Sequence, residues 1–218
     1  MLSIDLAVLG IVVIQVLGNT FSTMYLLLAH DSCYNRFPMP YRTSLDWERG
    51  PGYSIVTNAG HSRQVIFRSS DDFDHFTLVM KRALKRSPDV NLLGFCLIPL
   101  SFTLLLHENR PGEIARFMHR LSVAYSVYFN SHYGKQGKVF RGPYKDTSLG
   151  SEDAVIAALC RIHTLSTSEG SSIETYTWSS YKHYLRQSGP WIDKAFVAHY
   201  FASESYLDEL RRITQSQP

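Results

Sequence analysis

The stretch Val90-Asn-Leu-Leu-Gly-Phe-Cys-Leu-Ile98, with Phe102-Thr-Leu-Leu-Leu106 shortly after it, decides the fold. Both runs are short and apolar, and Pro99 separates them. A short apolar run bounded by turn residues is typical of a buried strand, so the pattern predicts two consecutive strands.

Strand and helix patterns precede and follow this pair. On the N-terminal side, residues 53–57 are a β-branched run bounded by turn residues, which predicts a short strand. Residues 71–86 repeat apolar side chains at helical spacing with acidic residues leading, which predicts a helix. On the C-terminal side, residues 138–147 are a basic, aromatic strand or loop, and residues 152–164 are a helix that Ser151 can cap.

A further helix opens at Pro111. Its broad apolar face is predicted to contain Ile114, Phe117, Met118, Leu121, Val123, Ala124, Tyr125, Val127, Tyr128 and Phe129. The complete order, β-α-β-β-α-β-α, predicts an α+β fold, a ferredoxin-like split β-α-β antiparallel sheet with helices packed on one face.

The composition describes a globular chain and leaves its partners open. The chain has 218 residues, of which 44% are hydrophobic and 19% charged, so it can build a core and is too apolar for a disordered protein. Its net charge of +3 and its pI of about 8.7 are compatible with nucleic acid without indicating it. The three cysteines are far apart in sequence and include no CxxC pair, which argues against a zinc site and favours a reducing compartment.

The sequence divides into three zones. Residues 1–47 form an N-terminal extension whose apolar segment, 6–29, is long enough for a membrane helix but is diluted by polar residues such as Gln15 and Asn19. A membrane helix, an upstream extension from a misassigned start codon, and a packed or unstructured arm are all open interpretations of that segment. Residues 48–170 carry the organised pattern. Residues 171–218 are predicted to form a C-terminal clasp and a helix at 206–214.

Four segments in order carry a resemblance to a known family. They begin at Tyr53 (YSIVTNAGHSRQVIF), Gly94 (GFCLIP), Tyr128 (YFNSHYGKQGKVFRGPYK) and Tyr176 (YTWSSYKHYL). Over residues 50–200 the chain resembles the single-tyrosine HUH transposases, especially the REP-associated tyrosine transposases. That resemblance implies a domain that binds single-stranded DNA and cleaves it with a tyrosine, while two histidines on one strand hold Mg²⁺ or Mn²⁺.

The catalytic residues of that family do not carry over. The two histidine positions correspond to Ser101 and Thr103, whose neutral hydroxyls are weak ligands for Mg²⁺ or Mn²⁺. The tyrosine position corresponds to Arg161, which stays protonated and cannot attack phosphorus, and the polar position one turn later is Leu165. The sequence therefore predicts no catalytic residue, no bound metal and no cofactor.

Other titratable side chains lie close to these positions in the sequence. We expect His107 to end its strand at a turn, Glu108 to be solvated and His163 to lie on a helix face. A metal site rebuilt from these three residues is the less favoured interpretation. Tyr181 and Tyr184 are predicted to belong to the C-terminal clasp.

The best candidates for DNA contact lie in one basic and aromatic segment, Lys135, Lys138, Arg141, Tyr144 and Lys145. Basic side chains neutralise phosphates and an aromatic ring stacks on a base, so this segment is predicted to contact DNA. A solvated strand face is the alternative. Further candidates are Arg63 in a loop, and Arg116 with Arg120, which lie about one helical turn apart.

Three functions compete at this point. The leading one is a transposase-family protein of the cytoplasm that binds single-stranded or hairpin DNA, as a possible homodimer, without cleaving it. The second is a non-catalytic interaction protein that uses the fold as a scaffold, tethered to a membrane if segment 6–29 is an anchor. The third is the product of a decayed gene with no selected function.

Overall fold

A computed structural model describes residues 52–170, 172–186, 188–200 and 208 of the chain. The predictions about the apolar segment 6–29 fall outside these residues, as does the predicted helix at 206–214 apart from Asp208. Within the described residues, no helix combines the length and apolar character needed to cross a membrane.

The described chain is an α+β fold built on one antiparallel sheet. Along the sequence lie β1 (Gly52–Ala59), α1 (Ser70–Lys85), β2 (Val90–Ile98), β3 (Ser101–Glu108), α2 (Glu113–His132), β4 (Lys145–Leu149) and α3 (Glu152–Thr164). Two short helices follow, α4 (Tyr181–Leu185) and α5 (Ala195–Tyr200). The strands lie in the spatial order β2-β3-β1-β4, and every neighbouring pair is antiparallel. The predicted order of strands and helices is confirmed.

Helices cover both faces of the sheet, so the prediction of helices on one face was wrong. On one face, Phe102 of β3 packs against Phe76 of α1 at 5.0 Å between ring centroids. On the other face, a Cβ atom at Gly94 of β2 would lie 2.3 Å from Leu159 Cδ1 of α3. Because side chains alternate along a strand, these contacts place α1 and α3 on opposite faces. Both faces need cover because nearly every residue of β2 and β3 is buried.

The buried stripe of α2 is narrower than predicted. Its buried apolar residues are Ile114, Phe117, Met118, Leu121, Tyr125 and Phe129, which repeat three and four positions apart. Val123 and Val127 are 49% and 65% exposed, and Ala124 is exposed as well. Each valine follows a buried residue by two positions, which turns it by about 200° around the helix. Tyr128 is half-buried at the margin of the stripe.

Glu108 is buried at the end of β3, so the prediction that it is solvated was wrong. Its side chain is 2% exposed, and Oε2 accepts the backbone N–H of Ile114 at 3.0 Å. The first N–H groups of a helix have no partner within the helix, and a carboxylate satisfies them well. Glu108 thus stabilises the start of α2. His107, its neighbour, lies within the strand and packs on Tyr53 at 4.4 Å between ring centroids.

The segment from Tyr176 to Tyr184 lies along the outer edge of β2. The N–H of Leu97 donates to the Trp178 carbonyl, and the N–H of Ser180 donates to the Phe95 carbonyl, each at 2.9 Å. The hydroxyls of Tyr176 and Tyr184 donate to carbonyls of the same strand, at 2.6 and 2.7 Å. These bonds satisfy backbone groups that an edge strand would otherwise expose.

Candidate nucleic-acid interface

Two loops that are far apart in sequence are joined at one end of the sheet. Gly60 forms a β-bridge with Phe140, the N–H of His61 donates to the Val139 carbonyl at 2.8 Å, and the N–H of Arg141 donates to the Ala59 carbonyl at 2.8 Å. Residues 60–64, which follow β1, and residues 138–141, which precede β4, therefore form one unit. We call this unit the loop pair.

Side chains and backbone geometry hold the loop pair in one arrangement. Gln64 Nε2 donates to the Val139 carbonyl at 2.7 Å. A Cβ atom at Gly60 would lie 2.0 Å from the Gln64 carbonyl oxygen, so only glycine fits there. Ser62 and Arg63 have φ of 51° and 59°, a left-handed conformation that is uncommon for residues other than glycine. Such a turn persists only where its surroundings enforce it, as these hydrogen bonds do.

The loop pair brings several of the predicted DNA-contacting residues to one end of the sheet. Arg63, Lys138 and Arg141 all lie within it and are exposed. Lys145 begins β4 at the same end and pairs in register with Thr57 of β1, and Tyr144 precedes it, half-buried.

Lys135 borders the loop pair from the end of α2. Its N–H donates to the Asn130 carbonyl at 2.8 Å, and Nζ lies 6.0 Å from the centroid of the Phe129 ring. The side chain of Asn130 also donates to the carbonyl of Gly137, just before the loop pair, at 3.0 Å. The turn between α2 and the loop pair is therefore hydrogen-bonded to the helix, which keeps Lys135 on the same side of the domain as the loop pair.

Arg116 and Arg120 are not part of this cluster. They lie in the first turns of α2, which begins next to Glu108, at the opposite end of β3 from Ser101. Arg116 pairs with Glu113, and Arg120 Nη1 donates to Ser87 Oγ at 2.7 Å. Both arginines therefore lie at the end of the sheet that is remote from the loop pair.

The two positions that correspond to family histidines lie on the sheet face beneath α3. Thr103 is paired in register with Cys96 on one side and with Thr57 on the other, and Thr57 is paired with Lys145. Side chains at paired positions share a face of the sheet, so two hydroxyls and a lysine lie in one row. Thr103 is 9% exposed and Ser101, which begins β3, is 2% exposed.

Arg161, at the position that corresponds to the family tyrosine, lies on a different surface. It is exposed on α3, as are Asp153 and Ala157, which precede it by eight and four positions. The buried stripe of the same helix contains Leu159 and His163. Arg161 therefore occupies the outward stripe of α3, whereas Ser101 and Thr103 are buried in the sheet.

The side chains at these positions do not fit Mg²⁺ or Mn²⁺. Both ions require several oxygen or nitrogen ligands, usually including carboxylates, and Ser101 and Thr103 offer only neutral hydroxyls. In the described part of the chain, no three His, Cys, Asp or Glu side chains lie close enough together to hold a metal ion. His163 is fully buried, with Nε2 2.6 Å from Ser180 Oγ.

The fold is similar to that of a solved REP-associated tyrosine transposase bound to a REP hairpin. That comparison has a TM-score of 0.54 at 8% sequence identity and covers 72% of this chain and 94% of the other. A candidate transposase from Deinococcus radiodurans gives a TM-score of 0.39 at 13% identity over 55% of this chain and 93% of that one. Neither a family model nor a curated protein matches the sequence. The described chain thus has a transposase-like fold.

Proposed function

We propose that this chain is a transposase-family protein that binds single-stranded or hairpin DNA and does not cleave it. The loop pair carries the proposal, because hydrogen bonds between segments about eighty residues apart hold Arg63, Lys138 and Arg141 exposed at one end of the sheet. Cations held in place before binding lose less conformational freedom when they meet phosphates. The related solved transposase is bound to a hairpin, which supports a similar ligand here.

The absence of cleavage follows from the residues at the family's catalytic positions. Arg161 cannot act as a nucleophile, because its guanidinium stays protonated and has no lone pair to offer phosphorus. The row that contains Thr103, Thr57 and Lys145 provides hydroxyl donors and one positive charge in place of a metal site. Both threonines are buried, so the row supplies neither an open metal site nor a nucleophile matched to the family chemistry.

Replacement of Lys138 and Arg141 by alanine is expected to weaken binding of a hairpin DNA about tenfold or more at low salt. Each phosphate contact contributes a slope of about −0.7 to −0.9 in log K against log salt, so the slope is expected to become shallower by about 1.5. Fluorescence anisotropy with a labelled hairpin, repeated over a salt series, measures both quantities. The matched control is R82A/R86A, which removes one exposed cation from the last turn of α1 and one from the residue that follows the helix. If the two double variants bind alike, the loop pair is not the DNA site.

The protein is expected to form no covalent adduct with single-stranded hairpin DNA in the presence of Mg²⁺ or Mn²⁺. Denaturing gel electrophoresis of labelled DNA detects a phosphotyrosyl link directly. The variant Arg161→Tyr is also expected to form no adduct, because Ser101 and Thr103 leave the metal unbound. An adduct with the natural chain would contradict the proposed loss of cleavage. An adduct with the variant alone would show that these hydroxyls suffice to support the reaction.

A further inference from the structure

A second basic surface lies at the opposite edge of the sheet from β4. A cleft of about 600 Å³ opens between the last turns of α1, the start of β2 and residues 190–194. Lys81, Lys85 and Lys194 line it, and its apolar wall is formed by Leu84, Val90, Leu92, Pro190, Trp191 and Ile192. Since β2 and β4 are the two edge strands, this cleft and the loop pair lie on opposite sides of the domain.

The charge of the cleft is positive. Its only acidic lining residue among the described ones, Asp193, already accepts hydrogen bonds at both carboxylate oxygens, from Asn91 Nδ2 at 3.0 Å and from the N–H of Ala195 at 2.9 Å. Lys81 and Lys85 form no ion pair with any described residue. Three lysines against one aspartate leave a formal charge of plus two in a concave site.

The positive charges of the cleft contribute to the lowered pKa of a neighbouring histidine. The pKa of His183 is lowered to about 4, first by burial and then by the positive charges of Lys182, Lys81, Lys194 and Arg186. The His183 ring lies 5.5 Å from the Trp191 ring, so it lies next to the wall of the cleft. Burial disfavours a charge of either sign, but the positive charges that add to this shift favour an anion at the cleft.

Trp191 gives the cleft a flat apolar surface beside its cations. Lys81 Nζ lies 4.8 Å from the centroid of the Trp191 ring, and the ring packs on Phe95 at 5.4 Å. Trp191 is half-buried, so part of it faces the cleft. The site therefore combines ammonium groups with an adjacent apolar wall, which together can take the phosphate and the base of one nucleotide.

We propose that this cleft binds one nucleotide of a DNA strand, with its phosphate between Lys81 and Lys85 and its base against the apolar wall. The inference rests on the proposed function, because it takes DNA as the ligand, but it concerns a different surface. The cleft also lies at the Glu108 end of the sheet, because Val90 pairs in register with Glu108, whereas the loop pair adjoins Ser101. Three strand spacings across the sheet and the length of β3 along it separate the two sites, which is roughly 28 Å. A single-stranded tail of several nucleotides beyond those held at the loop pair is therefore needed to reach the cleft.

The Trp191 indole provides a test that is independent of the loop pair. Its ¹H–¹⁵N signal, assigned with Trp191→Phe, is expected to shift on titration of the protein with an oligothymidylate of about eight nucleotides. The shift is expected to be lost in K81A/K85A and retained in the control R82A/R86A. The control removes a neighbouring cation of α1 and the one directly after the helix, neither of which lines the cleft. Lys194 is left in place because Nζ donates to the Ser188 carbonyl at 2.6 Å.

Affinity for a hairpin with a single-stranded tail gives the second readout. K81A/K85A is expected to weaken binding of the tailed hairpin several-fold, to make its salt slope shallower by about one, and to leave the blunt hairpin unaffected. A Trp191 signal that stays fixed, while K138A/R141A weakens hairpin binding as expected, overturns the cleft and leaves the proposed function standing. A shift at Trp191 with no effect of K138A/R141A on hairpin binding supports the cleft and overturns the loop pair. An equal shift with thymidine monophosphate overturns the assignment to a DNA strand.

Discussion

Replacement of Asp72 by alanine is expected to lower the free energy of unfolding by about 3 kcal/mol or more. The Asp72 side chain is fully buried at the start of α1. Its carboxylate accepts the N–H groups of Arg68 and Ser69 at 2.7 and 3.2 Å, and the hydroxyls of Tyr128 and Tyr133 at 3.1 and 2.7 Å. Alanine would remove all four bonds together and leave an empty space where the carboxylate now joins the two helices.

The same substitution is expected to disturb the proposed DNA site. Tyr133 caps the end of α2, and the guanidinium of Arg68 lies 4.4 Å from the centroid of its ring. Lys135 and the loop pair follow directly along the chain. Asp72 thus fixes the point from which the basic segment begins, so its loss is expected to weaken hairpin binding even at temperatures where the variant is folded.

Chemical denaturation with urea measures the effect on stability, and Asp71→Ala is the matched control. Asp71 lies in the same first turn but is exposed, so its loss is expected to cost less than about 1 kcal/mol. A tyrosine titration gives a second readout. Burial, and after it the hydrogen bond to Asp72, raises the pKa of Tyr128 to about 12, so this pKa is expected to fall in Asp72→Ala. Equal stability of the two alanine variants would show that the buried carboxylate is not what joins α1 to α2.

Periodicity in the sequence was sufficient to locate the helices and strands, but it did not identify which side chains of a helix are buried. The run Val90–Ile98 has the bounds of β2 because its apolar residues end at Pro99, which cannot donate to the ladder. In α2, by contrast, apolar character alone placed Val123 and Val127 in the core, although their angular positions differ from that of Leu121 by about 200° and 240°. Where a helix carries more apolar residues than one stripe can bury, the spacing of those residues predicts which are buried better than their hydrophobicity does.

The candidate site depends on contacts between distant segments of the chain, which no local sequence pattern predicts. Gly60 and Phe140 are bridged across eighty residues, and Gln64 donates to Val139 across seventy-five. Sequence reasoning missed Gln64 and Thr57, and only the known register of the strands places Thr57 between Thr103 and Lys145. Glycine at position 60 was the one available signal, because a tight turn after a strand often requires it.

The stability of the protein is expected to fall by about 2 kcal/mol between pH 7 and pH 5 because of His163 alone. Burial lowers the pKa of His163 to about 3, well below its ordinary value of 6.5. Nε2 lies 2.6 Å from Ser180 Oγ, and the N–H of Phe95 donates to the same hydroxyl oxygen at 2.9 Å. The ring therefore joins α3 to the C-terminal segment and to β2, in a position that excludes water.

The direction follows from the protons bound in each state. The folded protein keeps His163 neutral down to about pH 3, whereas the unfolded chain takes up a proton below about pH 6.5. The contribution is therefore fully present above pH 6.5 and is lost as the pH falls toward 3, by about 1.4 kcal/mol for each unit. Urea denaturation at pH 7 and at pH 5 measures the loss directly.

His163→Gln separates this contribution from those of other histidines, since burial also lowers the pKa values of His75, His107 and His183. Glutamine does not titrate in this range, so the difference in stability between pH 7 and pH 5 is expected to shrink by about 2 kcal/mol, whatever the variant costs at pH 7. His119→Gln, at an exposed position of α2, is the control and is expected to leave the difference unchanged. If the two glutamine variants show the same pH dependence as the natural chain, His163 accepts a proton within the folded protein. The hydrogen bond to Ser180 then does not depend on a neutral ring.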